Sequence, residues 1–375
     1  MAEPFKNLLN KRTIKTMSGH FHRQWPGFDA KGFVKSASKG LDKLELKERG
    51  DQVTAAMVEY FPADFPKAGD IMLGSLGACL DKKNSTDSVN TSGISGWAII
   101  PMTLYVGRCG YKHFDVSMNL FREMTKRTTS EFGIREFLQK SPGKTLAVLM
   151  TWAGDENQHV RRLASEGCRP RLPWAQRLAK YIDNPAPVIK LLERLKDDDE
   201  EYVRRSVANN LNDIAKDHPD VVAEIAGRWL KGASEERKRL VRHACRTLIK
   251  NGHKKTLSVL GYKAPKVKQV KIKLASNKVV FGDALEFSLS FSSDLNREQP
   301  FVIDYIIHHQ KANGTISPKV FKLKTTTLAK GKDLSITKRH AIKKITTRVY
   351  YPGLHRLEIV INGVSIGKKD FKLIK

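Results

Sequence analysis

The chain has 375 residues, room for about two or three domains and at least one sizeable core. Hydrophobic residues at 40% and charged residues at 28% exclude wholesale disorder, while Lys and Arg outnumber Asp and Glu by 67 to 39, a formal charge of +28. A surplus of that size asks for an acidic partner: nucleic acid first, an anionic membrane second, with non-specific stickiness as the bland reading.

Cys79, Cys109, Cys168 and Cys245 are widely spaced and form no C-x-x-C pair, which argues against a zinc ribbon or a disulfide scaffold. The N-terminal MAEPFKNLLNKRTIKTM lacks the apolar core of a secretion signal, and no apolar run approaches a bilayer's width. The expectation is a cytoplasmic, soluble protein with free thiols and no membrane anchor, metal or cofactor.

Residues 1–60 read as helices carrying Phe5, Leu8, Leu9, Ile14, Phe33, Leu41, Leu44 and Leu46. The prolines of FPADFPKAGD (61–70) punctuate them. From Gly69 to Gly110 the chain is rich in Gly, Ser and Asn and reads as a loop with short helical pieces at its edges. Its glycines match no phosphate-binding pattern.

From Phe114 to about Gly261 the pattern is helical and repetitive: EFGIREFL, QHVRRLAS, EYVRRSVANNL and KRLVRHACRTL. The matching Arg161, Arg204 and Arg242 lie 43 and 38 residues apart, near the period of HEAT and armadillo repeats. This predicts an α-solenoid over residues 1–263, with V-R-R placing a row of arginines on one face. Two roles stand open for those arginines: contact with phosphates, or, for some of them, pairing with carboxylates of the neighbouring repeat, for which Asp197–Glu201 offers partners.

Beyond Ala264 the period falls to two, in VKIKLAS, ALEFSLSFSS, FVIDYIIHH, VFKLKTTTL, RVYYPG (348–353), HRLEIVING and KDFKLIK. Turns such as Asn313-Gly314 and Asn362-Gly363 complete an antiparallel, immunoglobulin-like β-sandwich of about seven strands over 264–375. It holds 22 Lys and Arg against 8 Asp and Glu, half the surplus charge of the chain, and reads as a second nucleic-acid clamp.

The most unusual stretch runs from Trp152 to Trp174, with two tryptophans, three carboxylates and four arginines. Asp155 or Asn157 suits the N-cap of the helix that follows. Glu156, with Trp152 four residues earlier, makes a candidate site for a cationic group beside an anionic backbone. The C-R-P-R-L-P-W loop after the helix is stiff and basic, and Trp174 suits stacking or packing.

The run TWAGDENQHVRRLASEGCRPRLPW resembles the AlkC/AlkD-type alkylpurine DNA glycosylases. TSEFGIREFL (129–138) and YVRRSVANNL (202–211) are similar to the AlkC branch, as is the order of solenoid and immunoglobulin-like domain. The resemblance implies an enzyme that hydrolyses the N-glycosidic bond of cationic methylated bases in duplex DNA. No lysine stands out as a Schiff-base nucleophile and nothing suggests more than one copy, so a monofunctional monomer is expected. Expected substrates are 3-methyladenine and, as a further class, 3-methylcytosine. One carboxylate would stabilise the oxocarbenium-like sugar and position water. Glu156 is assigned that role, with Trp152 lining the site and Glu131 as a second carboxylate that alternatively pairs with Arg135. Arg161, Arg162, Arg169, Arg171, Arg204, Arg205 and Trp174 are assigned to DNA. The competing reading is a non-catalytic HEAT-repeat scaffold that binds nucleic acid.

Overall fold

A computed structural model describes residues 5–80 and 92–375. Part of the loop expected between Gly69 and Gly110, residues 81–91, lies outside the described residues. Within the described residues the chain divides into two compact units. One comprises the residues up to Asp217 together with Glu235–Ala244; the other comprises His218–Ser234 and Cys245–Lys375.

The first unit is helical. Its elements are α1 (Lys11–Gln24), α2 (Ala30–Ala37), α3 (Leu46–Tyr60), α4 (Phe65–Gly74), α5 (Ile99–Cys109), α6 (Phe114–Thr125) and α7 (Ile134–Lys140). They continue with α8 (Pro142–Trp152), α9 (Gln158–Gly167), α10 (Ala179–Asp183), α11 (Ala186–Leu195) and α12 (Glu201–Ile214). Helix α13 (Pro219–Leu230) belongs to the second unit and α14 (Glu235–Ala244) to the first.

Local chemistry starts these helices where they start. Asn10 and Asp29 accept from Thr13 N and Gly32 N at the heads of α1 and α2, and Glu45 with Glu48 forms a capping box on α3. Packing then runs in register along the chain: α3 on α5, α5 on α7, α9 on α12 and α12 on α14, with α4 on α6 and α8 on α11. The stripe expected on α9 is present, with Val160, Leu163 and Ala164 fully buried.

In the described part of the Gly69–Gly110 region the chain folds further than its composition suggested. Helix α5 spans 11 residues and buries Ile99, Met102, Tyr105 and Val106. Its apolar stripe is flanked by glycines, which disguised it as loop. Gly133 lets the turn before α7 approach α5 closely: a Cβ there would sit 2.0 Å from the Thr103 carbonyl oxygen.

The second unit joins α13, α15 (Arg246–Lys250) and α16 (Lys254–Val259) to a β-sandwich. Its strands are β1 (Val267–Leu274), β2 (Lys278–Val280), β3 (Ala284–Ser293), β4 (Gln299–Gln310), β5 (Ile316–Leu328), β6 (Asp333–Ala341), β7 (Gly353–Ile361) and β8 (Val364–Ile374). One sheet runs β1-β3-β6 and the other β2-β8-β7-β4-β5. The pairings are antiparallel, as expected, except that the three-residue β2 runs parallel to β8. A strand that short carries no readable alternation, so the sequence hid it.

Alternation holds elsewhere. Leu285, Phe287, Leu289 and Phe291 of β3 enter one core with Phe301, Ile303, Tyr305 and Ile307 of β4 and Leu357, Ile359 and Ile361 of β7. Leu257 and Tyr262 bury against Val302 on the other side of β4. The expected turn at Asn362-Gly363 does more than reverse the chain. The Asn362 amide donates to the Lys263 and Pro300 carbonyls, and its oxygen accepts from Val302 N. Among the described residues no helix is long and apolar enough to cross a membrane.

Candidate active site

The helical unit carries a cleft of ≈260 Å³ whose charged wall is Glu131, Glu166 and Arg169, and whose aromatic wall is Trp97, Phe132 and Trp174. Glu131 lies in the turn before α7, Glu166 in the last turn of α9, and Trp174 in the loop that follows α9. The cleft is therefore assembled by helix stacking from residues more than 70 positions apart.

Arg162 joins the two carboxylates, 2.8 Å from Glu131 Oε2 and 3.4 Å from Glu166 Oε1, with the Tyr202 ring 5.3 Å from its guanidinium. Thr129 Oγ1 donates to Glu131 at 2.8 Å. Glu166 is more enclosed: it accepts from Arg169 at 2.6 Å and from Ser206 Oγ at 2.6 Å. Burial by itself would raise its carboxyl, but Arg162 and Arg169 outweigh burial and hold it below the usual carboxylate range. Burial likewise opposes the charge on Arg162, and Glu131 and Glu166 more than offset it, lifting the guanidinium above its ordinary value. Both carboxylates are thus held in a lattice of fixed charges.

The loop bearing Arg169, Arg171 and Trp174 is tied from beneath by Arg135. This fully buried guanidinium donates to the Gly167 and Arg169 carbonyls at 2.9 Å and to the Gln176 carbonyl at 2.9 Å. Arg135 was the sequence's alternative partner for Glu131; instead it serves these carbonyls, and Glu131 takes Arg162. Burial lowers Arg135 to about 10, which leaves it cationic at neutral pH. Arg171 makes a two-pronged pair with Asp217 at 2.7 Å. Between these anchors Trp174 adopts φ +64° with 71% of its surface exposed. A left-handed backbone is costly for an aromatic residue and persists only where the surroundings impose it.

The other sequence candidates fall elsewhere. Trp152 closes α8 and is buried, and Glu156 is exposed and does not line the cleft. Asn157 is the N-cap of α9, accepting from His159 N, while Asp155 pairs with Arg122 at 2.7 Å. Arg161 binds Asp198 through two nitrogens and donates to the Asp155 and Glu156 carbonyls, so it secures the α8–α9 turn. Arg169 spans Glu166 and Asp213. Arg204 donates to the Asp198 carbonyl, and with Arg205, Arg239 and His243 it lines a separate cleft of ≈430 Å³ between α12 and α14. The V-R-R arginines divide: Arg161 pairs with Asp198 of the next repeat, Arg162 with Glu131 of the preceding one, and Arg205 with Glu201 on its own helix, while Arg204 meets a backbone carbonyl.

Glu166, Trp97 and Phe132 escaped the sequence reading. One signal was available for Glu166: it continues the Val160–Leu163 stripe at helical spacing, where a charged residue is out of place unless paired.

Residues 128–248 match the model of the DNA alkylation repair enzymes, and 268–375 match that of the C-terminal Ig-like domain of the uncharacterised protein YhaZ. The chain belongs to the DNA alkylation repair glycosylase family, in its AlkC branch. It is 35% identical over 370 residues to the uncharacterized protein YhaZ of Bacillus subtilis (strain 168), covering 98% of this chain and 99% of that protein. It also matches the alkylpurine DNA glycosylase AlkC of Pseudomonas fluorescens, solved bound to DNA containing an abasic site analog. That likeness has 33% identity, a TM-score of 0.87 and complete coverage of both chains.

Proposed function

We propose that the protein hydrolyses the N-glycosidic bond of cationic alkylated bases in duplex DNA, 3-methyladenine foremost and 3-methylcytosine as a further class, acting as a monofunctional monomer. The observation that carries this reading is the pair of carboxylates, Glu131 and Glu166, set against aromatic side chains in one cleft of the helical unit. A base alkylated into a cation leaves with the electron pair of its glycosidic bond and becomes neutral, so no acid need protonate it. The positive charge passes to the deoxyribose, and a fixed carboxylate stabilises it. Water then adds its oxygen to C1′ and gives up a proton.

Glu131 is the better of the two for this work, and better than Glu156. Glu166 has both oxygens engaged by Arg162, Arg169 and Ser206, whereas the described partners of Glu131 both reach the same oxygen, Oε2. Its other oxygen remains for water or for the sugar. Glu156 stands exposed just before α9 and does not line the cleft.

The test is release of 3-methyladenine from methylated duplex DNA. Glu131→Gln should slow release roughly 10²–10³-fold while retaining affinity for DNA, the scale of losing one preorganised charge-stabilising group. Glu156→Gln should release base like the wild type. Activity that survives Glu131→Gln but not Glu156→Gln would return the chemistry to the head of α9. A wild-type protein that binds duplex DNA and releases nothing would leave the scaffold reading.

A further inference from the structure

A second groove, of ≈530 Å³, opens against the cleft and shares its aromatic wall of Trp97, Phe132 and Trp174. Its floor is apolar, made by Leu9, Gly50 and Leu104. The acidic groups on its rim are already neutralised, Glu45 by Lys6 at 2.7 Å and Asp51 by Arg108. Lys47 adds one cation to the rim, while the rest of the lining is mainly apolar and aromatic. The space suits a flat, apolar group.

Gly50 explains why the space exists. It lies inside α3, where glycine is the poorest choice after proline. Its φ is not positive, and a Cβ there would touch only the Leu104 Cδ1 atom, at an ordinary 3.8 Å. Neither backbone conformation nor close packing requires glycine at this position. What its missing side chain does is keep the floor of the groove open.

We propose that this groove receives the substituent of bases carrying adducts larger than methyl, aromatic ones such as benzyl above all. The inference rests on the glycosylase reading given above. The hydrolysis is unchanged: the adducted base leaves neutral, with its substituent in the groove and its glycosidic bond beside Glu131. An apolar slot rewards each added carbon, which gives the enzyme a substrate range wider than methylation alone.

Single-turnover release from methylated and from benzylated duplex DNA tests this. Wild type should release both adducts. Gly50→Leu and the more pliable Gly50→Met should slow benzyl release roughly 10-fold or more, the scale of discrimination in apolar pockets, and leave methyl release unchanged. Gly50→Ala serves as a folded reference, and thermal melts verify that each variant folds. Release of methyl but not benzyl adducts by wild type would overturn the inference while sparing the glycosylase reading. Equal slowing of both adducts, or weakened binding of undamaged duplex, would also overturn it by showing that the groove seats the DNA itself. Release of neither adduct would remove the reading on which it depends.

Discussion

The two units carry their positive charge in opposite ways. In the helical unit Arg161, Arg162, Arg169 and Arg171 are forked onto carboxylates, and the first three are largely withdrawn from solvent. In the sandwich the charge is mainly lysine, as at Lys268, Lys271 and Lys273 of β1 and Lys319, Lys322 and Lys324 of β5, which lie at or near the surface. Its 22 cations face only 8 carboxylates, so most have no acid to pair with inside that domain. Arginine's planar fork fixes geometry, while lysine's mobile ammonium supplies charge. The helical unit uses its cations to build a site. The sandwich carries its cations on its surface.

The sharpest way to break that contrast is Arg169→Ala, which leaves the buried Glu166 to Arg162 and Ser206 and the buried Asp213 to Lys216. Urea denaturation should show a loss of about 3–5 kcal/mol. A loss no larger than that of an exposed pair would mean that the arginine lattice is ornamental. Replacing Lys319, Lys322 and Lys324 by Gln should do the reverse, sparing stability but flattening the dependence of DNA binding on salt. The slope of log affinity against log salt should fall by about 0.9 for each phosphate that is no longer neutralised. An unchanged slope would take β5 out of the DNA-binding surface and leave its lysines the task of keeping an edge strand from pairing with other chains.

A smaller effect concerns acid. His309, His340 and His355 cluster in the sandwich, and neither ring nitrogen of His309 finds a hydrogen-bond partner among the described residues. Burial, with repulsion from Arg348, pushes His309 down to about 3, and burial with Lys338 and Arg348 pushes His340 down to about 4. The unfolded chain takes up these protons from about pH 6.5 downward, and the folded one does not until much lower. Stability should therefore be intact above about pH 6.5 and decline steadily as pH falls toward those depressed values. Replacing His309 by Phe should flatten the decline in melting temperature; an equally steep decline would place the acid sensitivity elsewhere.

Legibility of the sequence tracked how local each feature is. Most strands of the sandwich could be read because alternation, as at Leu285, Phe287, Leu289 and Phe291, is a property of neighbours, but β2 and β6 were missed and RVYYPG (348–353) forms no strand before Gly353. The α9 cap could be read for the same reason. The family, carried by the 152–174 run, was legible too. The cleft was not, because Trp97, Glu131, Glu166 and Trp174 meet only after α5, α7 and α9 have stacked. Glu156 drew attention by standing beside a capping sequence and a tryptophan. In space Trp152 is buried and Glu156 faces solvent. Pairing partners were out of reach as well, since Arg169 finds Asp213 44 residues away.

The Asn362 side chain has a kinetic consequence. Its bonds reach the Pro300 carbonyl 62 positions upstream and the Lys263 carbonyl 99 positions upstream. Contacts that distant in sequence form slowly, because the intervening chain must be ordered first. On the ribosome the Lys263 and Pro300 carbonyls must wait for this partner until the β7–β8 hairpin has emerged and turned back. That interval is when the nascent chain has most need of a chaperone.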